Sequence, residues 1–458
     1  MELNPEIFRE YDIRGTVGRD LTDRTVSALA RAMGTYLRQT GAQTVSLAGD
    51  NRLSSDGFRR ILADGLARSG LDVTDFGVIP TPVFYFTLFE RKMDGGVMIT
   101  GSHNPPEFNG FKVASGSSTI YGEEIQRISH IAARGDFIGG SGSVRMSDVR
   151  TDYIEELRRR IRIDRRLDVA VDCGNGTAAI VVEDLFRGLG INARLLFAEP
   201  DGRYPNHHPD PTVPSNLKAL VGAVKEGGLE AGVAYDGDAD RIGVVDETGD
   251  IVWGDRLLIV FARDILSRQP GARIIFEVKC SQALPEAVEK AGGVPVMWKT
   301  GHSLIKGKMK EEGAALAGEM SGHIFFADRY YGYDDAIYAS LRLFEILGRA
   351  RSGMSGLLSD VPRYFTTPEI RVACPDRLKF EIVDRLRESL RKNHRIIDID
   401  GVRVVYPDGW GLVRASNTQP VLVLRFEAAT ERRLKEIRDE VVESLVQAAR
   451  GEIAITEG

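Results

Sequence analysis

A strand–helix–strand unit that recurs three times constrains this chain more than any other feature. Each copy opens with an apolar strand that ends at an acidic residue: Val45-Ser-Leu-Ala-Gly-Asp50, Val169-Ala-Val-Asp172 and Ile274-Ile-Phe-Glu277. A polar loop then leads into a helical pattern that stops at glycine, at Gly70, Gly190 and Gly292-Gly293. Glycine is the expected stop at a helix C-terminus. A second strand follows each stop, at Leu71–Phe76, Ile191–Phe197 and Val294–Trp298. This order is the βαβ unit of a parallel sheet covered by helices. Each copy adds a further strand, at Gly96–Thr100, Ala231–Tyr235 and Ala314–Gly318, that feeds a polar loop. Ligands of such sheets bind beyond the carboxyl ends of the strands, so the three loops are expected to face one cleft.

The tail reads differently. A helical stretch near Pro375–Asn393, strands near Ile396–Tyr406, a glycine-rich turn at Asp408-Gly-Trp-Gly411, a strand at Val421–Glu427 and a helix from Thr430 suggest a smaller α+β domain. The Gly139-Gly-Ser-Gly-Ser143 stretch reads as a flexible connector or surface loop. The expected division is 1–147, 148–250, 251–363 and 364–458. A chain of 458 residues suits three or four domains at roughly 100–200 residues each.

Charge and cysteine usage remove several classes. Lys plus Arg is 60 and Asp plus Glu is 66, a net charge of −6, which argues against a nucleic-acid partner. Cys173, Cys280 and Cys374 are far apart and odd in number, so neither a disulfide framework nor a zinc site is expected. The N-terminus has no basic stretch leading into an apolar core, and the longest apolar run, Leu257 to Ala262, is far short of a membrane span. The expectation is a cytoplasmic protein with no membrane partner.

Four loops hold the chemistry. In Thr100-Gly-Ser-His-Asn-Pro-Pro-Glu-Phe-Asn-Gly-Phe-Lys112, two prolines stiffen a loop that carries Ser102 beside His103. A rigid serine near a cation suits a covalent nucleophile or phosphate carrier, and Lys112 can fold back toward it. In Asp236-Gly-Asp-Ala-Asp-Arg241, three carboxylates at alternate positions can converge on a hard cation, and oxygen-only ligands favour Mg²⁺, Mn²⁺ or Ca²⁺. An EF-hand is excluded because Arg241 stands where the sharp turn needs glycine and the preceding segment is strand-like. In Gly318-Glu-Met-Ser-Gly-His323, an extended strand would aim Glu319 and Ser321 to one face, where they suit paired sugar hydroxyls, with His323 as an acid or base. Arg414-Ala-Ser-Asn-Thr-Gln-Pro420 offers a guanidinium, hydroxyls, an amide and turn N–H groups, which together suit a phosphate. Tyr11 and Arg14 precede Gly15 near the start, and Lys299-Thr-Gly-His302 ends the third repeat's second strand.

These strings, in this order, resemble the α-D-phosphohexomutase family, closest to its bacterial bifunctional phosphomannomutase/phosphoglucomutase branch. The resemblance runs from Tyr11-Asp-Ile-Arg-Gly15 to Arg414-Ala-Ser-Asn-Thr418. It implies three related mixed-sheet α/β domains and a smaller C-terminal α+β domain around a central cleft. It also implies a monomeric enzyme that moves phosphate between C1 and C6 of a hexose through a hexose 1,6-bisphosphate. On that resemblance Ser102 carries the phosphoryl group, and Asp236, Asp238 and Asp240 hold Mg²⁺ with Arg241 behind them. Glu319 and Ser321 hold sugar hydroxyls. Arg414, Ser416, Asn417 and Thr418 grip the idle phosphate, with Tyr11, Lys279 and His302 also facing substrate. His323, His103, Lys112 and Arg14 assist proton transfer and charge stabilisation. Met320 stands where glucosamine-phosphate relatives tend to carry Gln. Two departures stand out: Gly49 replaces a common arginine, which puts a support of the serine loop in doubt, and Glu277 stands where Asp is usual. The alternatives are a phosphoglucosamine mutase, a Mg²⁺-dependent sugar phosphatase and a non-catalytic sugar-phosphate binder.

Overall fold

A computed structural model describes residues 3–453; the ends of the first and last expected domains, 1–2 and 454–458, lie outside the described residues. The threefold repeat is realised as three sheets of one topology. In each, the strand that ends in a carboxylate is central and pairs in parallel with two neighbours. The central strands are Thr44–Gly49, Leu167–Asp172 and Arg273–Glu277. On one side lies the strand after the helix, at Asp72–Val78, Ile191–Leu196 or Val294–Trp298. On the other lies Gly95–Ile99, Ala231–Tyr235 or Leu316–Gly318, and this strand turns back into an antiparallel partner at Phe108–Ser115, Ile242–Asp246 or Ile324–Phe326. The turn between the last two strands is in each case the motif loop. Gly70, Gly190 and Gly292 have φ of 81°, 74° and 80°, the left-handed conformation a glycine stop adopts.

The helix Thr81–Glu90 is apolar on every side, and a helix of that kind must be buried all round. Its Phe86 ring meets Tyr153 edge-on at 5.6 Å, and Phe89 meets Tyr331 at 4.9 Å. One continuous apolar cluster thereby runs through the first three domains, with Phe84 and Phe86 beside Leu185, Phe261 and Phe344. The C-terminal domain has a separate core built from Ile382, Leu386, Val404, Phe426, Ile437 and Val441. It meets the third domain through a small cluster of Val278, Trp410 and Leu412.

Two expectations are corrected. The glycine-rich turn at Asp408–Gly411 is mostly strand: Gly409–Ala415 pairs with both Val402–Tyr406 and Val421–Ala428. Glycine is present there for packing, since a Cβ on Gly409 would lie 2.4 Å from the Glu427 carbonyl oxygen and 2.8 Å from Ile437. The Gly139–Ser143 stretch is not a free connector. Gly140 and Gly142 donate to the Arg68 and Ala67 carbonyls at 2.9 Å, and the segment runs into a parallel edge strand, Val144–Met146.

The shared core predicts how the molecule melts. Phe86→Ala should cost about 3–5 kcal/mol in the first three domains. Calorimetry should show their transition lowered and that of the C-terminal domain unmoved.

Candidate active site

The three motif loops and the C-terminal loop meet in one polar cleft. The first is shaped from within by Arg52, whose side chain is fully buried. Its NH1 donates to the carbonyls of Pro105 and Phe108 at 2.6 and 2.9 Å, and its NH2 to those of Ser102 and Asn104 at 2.7 and 2.5 Å. The Tyr204 ring lies 5.4 Å from the guanidinium. Asp50 accepts from the backbone N–H of Gly101 at 3.1 Å. Ser102 is left-handed at φ 50°, an uncommon conformation for a non-glycine residue that concentrates at functional sites. Arg52 thus supplies loop support beside the position where Gly49 replaces an arginine.

Ser102 Oγ donates to Asp236 Oδ2 at 2.8 Å and lies 3.1 Å from His103 Nδ1. The approach is tight enough to require glycine next door, because a Cβ on Gly237 would lie 2.7 Å from the Ser102 carbonyl oxygen. Asp236, Asp238 and Asp240 are buried and offer one oxygen each within 4.8 Å of one another, an acidic metal-binding cluster. Lys112 donates to Asp238 Oδ2 at 3.0 Å and to Asp240 Oδ2. Thr81 also donates to Asp238 Oδ2, at 2.6 Å. The Oδ1 atoms of Asp238 and Asp240 have no hydrogen-bond partner. Burial, then repulsion from Asp240 and Asp238, pushes the Asp236 carboxyl far above the usual range. Burial also opposes the Asp240 carboxylate, but Lys112 and His323 outweigh it and hold Asp240 down at about 2. All-oxygen donors with two idle buried oxygens fit a hard divalent cation.

The third loop docks on the second. Arg241 Nε donates to His323 Nε2 at 2.9 Å. A guanidinium can only donate, so the imidazole hydrogen sits on Nδ1, 3.2 Å from Asp334 Oδ2. Asp334 is fully buried, accepts from Lys306 at 3.1 Å, and lies 3.8 Å from His302 Nδ1. Burial, then Lys306, pushes His302 well below the usual histidine range, and burial, then Arg241 and Arg14, does the same to His103. Arg14 is held by Asp12 and by Asn104 of the serine loop, at 2.5 and 2.9 Å. Ser321 Oγ donates to Glu319 Oε2 at 3.0 Å, and Glu319 Oε1 accepts from the backbone of Gly301 at 2.9 Å. The two side chains therefore stand together, but across a tight turn that follows the strand Leu316–Gly318 and not along an extended strand.

The carboxylate that ends each central strand has a common task. Asp50, Asp172 and Glu277 each accept the N–H two residues on, from Arg52, Gly174 and Lys279 at 3.0, 2.8 and 2.7 Å. Asp50 and Glu277 also reach their own motif loops, at Gly101 N and Met320 N. Asp172 turns instead to His207, at 3.1 Å. The longer Glu277 additionally accepts from Thr300 Oγ1 at 3.0 Å.

Across the cleft, Arg414 Nε donates to Asp400 Oδ2 at 2.9 Å, and Asp400 accepts from the Thr300 backbone at 3.0 Å. Tyr11 stands over His302 at 5.7 Å, donates to the Thr300 carbonyl and accepts from Asn417, both at 2.7 Å. Ser416 Oγ accepts from the backbone of Thr418 and Gln419 at 3.3 and 3.2 Å. Lys279 is tied to Glu369 at 3.1 Å. Direct contacts thus join Ser102, Lys112, Asp236, Asp238, Asp240, Arg241 and His323, and Tyr11 to Asn417. Arg52, Asp334, Lys306 and Asp400 are additional. Of these only Arg52 had a signal, two residues beyond a strand-ending aspartate.

Four family models match the chain in succession. Those for phosphoglucomutase/phosphomannomutase alpha/beta/alpha domains I, II and III match residues 5–138, 151–249 and 253–364, and that for the C-terminal domain matches 369–444. The chain is 47% identical to the phosphomannomutase/phosphoglucomutase of Pseudomonas aeruginosa over 437 residues, 95% of this chain and 94% of that one. It is 43% identical to the phosphoglucomutase of Neisseria meningitidis serogroup A over 96% of this chain and 97% of that one. A crystal structure of a phosphoglucomutase/phosphomannomutase family protein from Burkholderia thailandensis superposes with a TM-score of 0.93 at 43% identity, covering 98% of this chain and 99% of that one.

The Lys279–Glu369 pair gives a pH test. Lys279, against burial, holds the Glu369 carboxyl at about 2, below its ordinary 4.5. A depressed carboxylate contributes stability above its unfolded pKa and loses it as pH falls through the folded one. The stability gap between the wild type and Glu369→Gln should be about 3 kcal/mol near neutrality and close between pH 4.5 and 2, read by denaturant melts.

Proposed function

The chain belongs to the phosphoglucomutase/phosphomannomutase family, and we propose that it shifts phosphate reversibly between C1 and C6 of mannose and glucose phosphates through a phosphoserine at Ser102. The observation that carries this reading is the Ser102 hydroxyl donating to Asp236, one of three converging buried aspartates, across a domain boundary. The proposed partition is 1–147, 148–250, 251–363 and 364–458, with the short strand Ile251–Val252 of the second sheet just across the second boundary.

Phosphorylated Ser102 gives its phosphoryl group to the free hydroxyl of a hexose monophosphate. The P–Oγ bond breaks, a P–O bond to the sugar forms, and the proton of the sugar hydroxyl ends on Ser102 Oγ. The product is a hexose 1,6-bisphosphate, which also serves as activator because it can phosphorylate an empty Ser102. The intermediate turns around and returns its other phosphate to Ser102. His103, kept neutral by burial and next to Oγ, takes and returns the proton at the serine. Lys112 and Arg14 offset charge on the phosphoryl oxygens, with His323 assisting at the sugar hydroxyl. Glu319 and Ser321 hold sugar hydroxyls. Arg414, Ser416, Asn417 and Thr418 grip the phosphate that is not moving, with Tyr11, Lys279 and His302 around it.

Mg²⁺ suits Asp236, Asp238 and Asp240, with Arg241 behind them, and when bound would neutralise charge on the transferring phosphoryl group. The 47% identity to a relative named phosphomannomutase/phosphoglucomutase supports action on both mannose and glucose phosphates. A relative named as a probable phosphoglucosamine mutase, from Methanopyrus kandleri, is 34% identical. We take the working unit as a monomer, since one chain supplies all four loops. The cytoplasm suits its three free, buried cysteines.

Ser102→Ala should lose nearly all turnover of glucose 1-phosphate and mannose 1-phosphate in a coupled assay. It should also lose the species about 80 Da heavier that intact-mass analysis finds in the wild type. Free phosphate released faster than isomer would favour a phosphatase. EDTA should abolish activity and Mg²⁺ restore it.

A further inference from the structure

Lys379 is a buried lysine that no motif announces. Its side chain is 4% exposed, on the helix Asp376–Leu390 of the C-terminal domain. Lysines are almost never buried unless paired. All three of its donors are used: Asp376 Oδ1 at 2.6 Å, the Ser416 carbonyl at 2.5 Å and the Gln419 carbonyl at 3.3 Å. Two of these bonds therefore go to the backbone of the loop that carries Ser416, Asn417 and Thr418.

We propose that Lys379 is a positioning residue for anion binding, an ammonium that shapes the 416–419 loop from behind so that its front face accepts a phosphate. This rests on the reading of that loop as the grip on the idle phosphate. A tight turn alternates carbonyls and N–H groups, and an anion needs the N–H side. Capturing the Ser416 and Gln419 carbonyls from the interior turns them away from the cleft. Ser416 Oγ meanwhile accepts from the N–H groups of Thr418 and Gln419, so those two donors hold the turn closed and the anion is left to the Asn417 N–H and the loop's side chains. Asp376, which steadies Lys379, is itself 3.4 Å from Arg9 of the first domain. The support behind the loop is thereby linked to the opposite wall of the cleft.

The test compares Lys379→Met, which keeps the length and removes every donor, with Lys379→Gln, which keeps amide donors without charge. KM and kcat for glucose 1-phosphate are measured, along with calorimetric Kd values for glucose 6-phosphate and inorganic phosphate. Lys379→Met should raise KM and both Kd values about tenfold or more, with kcat falling far less, and Lys379→Gln should lie between it and the wild type. Lys379→Arg should recover most of the affinity. A thermal melt of the C-terminal domain establishes folding, and if Lys379→Met does not fold, Lys379→Gln decides. Unchanged KM and Kd in a folded variant, or a fall in kcat at constant KM, would overturn the proposal. The calorimetric readings need no turnover. A wild type that binds sugar phosphate without isomerising it would defeat the mutase reading and leave Lys379 separately testable.

Discussion

The architecture turns on one hydroxyl brought to one carboxylate. Ser102 belongs to the first repeat and Asp236 to the second, yet they hydrogen-bond at 2.8 Å. Three conditions make that contact possible. The serine backbone is held left-handed, at a cost of order 1–3 kcal/mol that the surroundings must offset. Arg52 offsets it by gripping four carbonyls of the loop from a fully buried position. Gly237 lets the second loop come within contact of the Ser102 carbonyl. Loss of any one would move the Ser102 hydroxyl away from Asp236.

The electrostatics follow from that meeting. Four carboxylates, Asp236, Asp238, Asp240 and Asp334, are buried close together, and like charges in a low-dielectric site are unstable without partners. The partners are Lys112, Lys306 and Arg241, whose cationic groups interleave with the acids. Asp236 keeps no ammonium of its own and spends an oxygen on Ser102, so its carboxyl carries the strain. A divalent ion, or a phosphoryl group that brings one, is the natural relief. The site is thus arranged to be least comfortable when empty, and that favours binding of charge at the point where chemistry needs it.

Much of this was legible in the sequence because short-range patterning encodes it. Apolar runs, helix-stopping glycines and the motif loops are local signals, and the structure places them on three sheets of one topology. The Asp408–Gly411 stretch misled because glycine signals both turns and tight packing, and only the neighbours, Glu427 and Ile437, tell the two apart. The Gly139–Ser143 stretch misled for a related reason: small residues suit a flexible linker, but also a backbone laid flat against Ala67 and Arg68. Asp334, Lys306, Lys379 and Asp400 were invisible because each acts on a residue far along the chain. The strand-ending carboxylates were visible as a repeat, but their task of bracing the motif loops was not.

The separate core of the C-terminal domain leaves it joined to the other three by two contacts of different kinds. Its contacts with the first domain are polar, Asn417 to Tyr11 and Asp376 to Arg9. Hydrogen bonds of that kind contribute about 1 kcal/mol each and exchange readily with water. Its contact with the third domain is of another kind. Arg403, stacked 3.8 Å from the Trp410 ring of its own domain, donates to the carbonyls of Val278 and Cys280, and Arg425 donates to that of Lys279. Burial pushes the Arg403 guanidinium down to about 10, a sign of how dry this contact is. Opening at the polar side costs little, whereas parting the Arg403–Trp410 side would strand buried donors and carbonyls. The geometry therefore favours a domain that swings about residues 278–280, loosening its hold on Tyr11 while the Lys279 backbone stays in place.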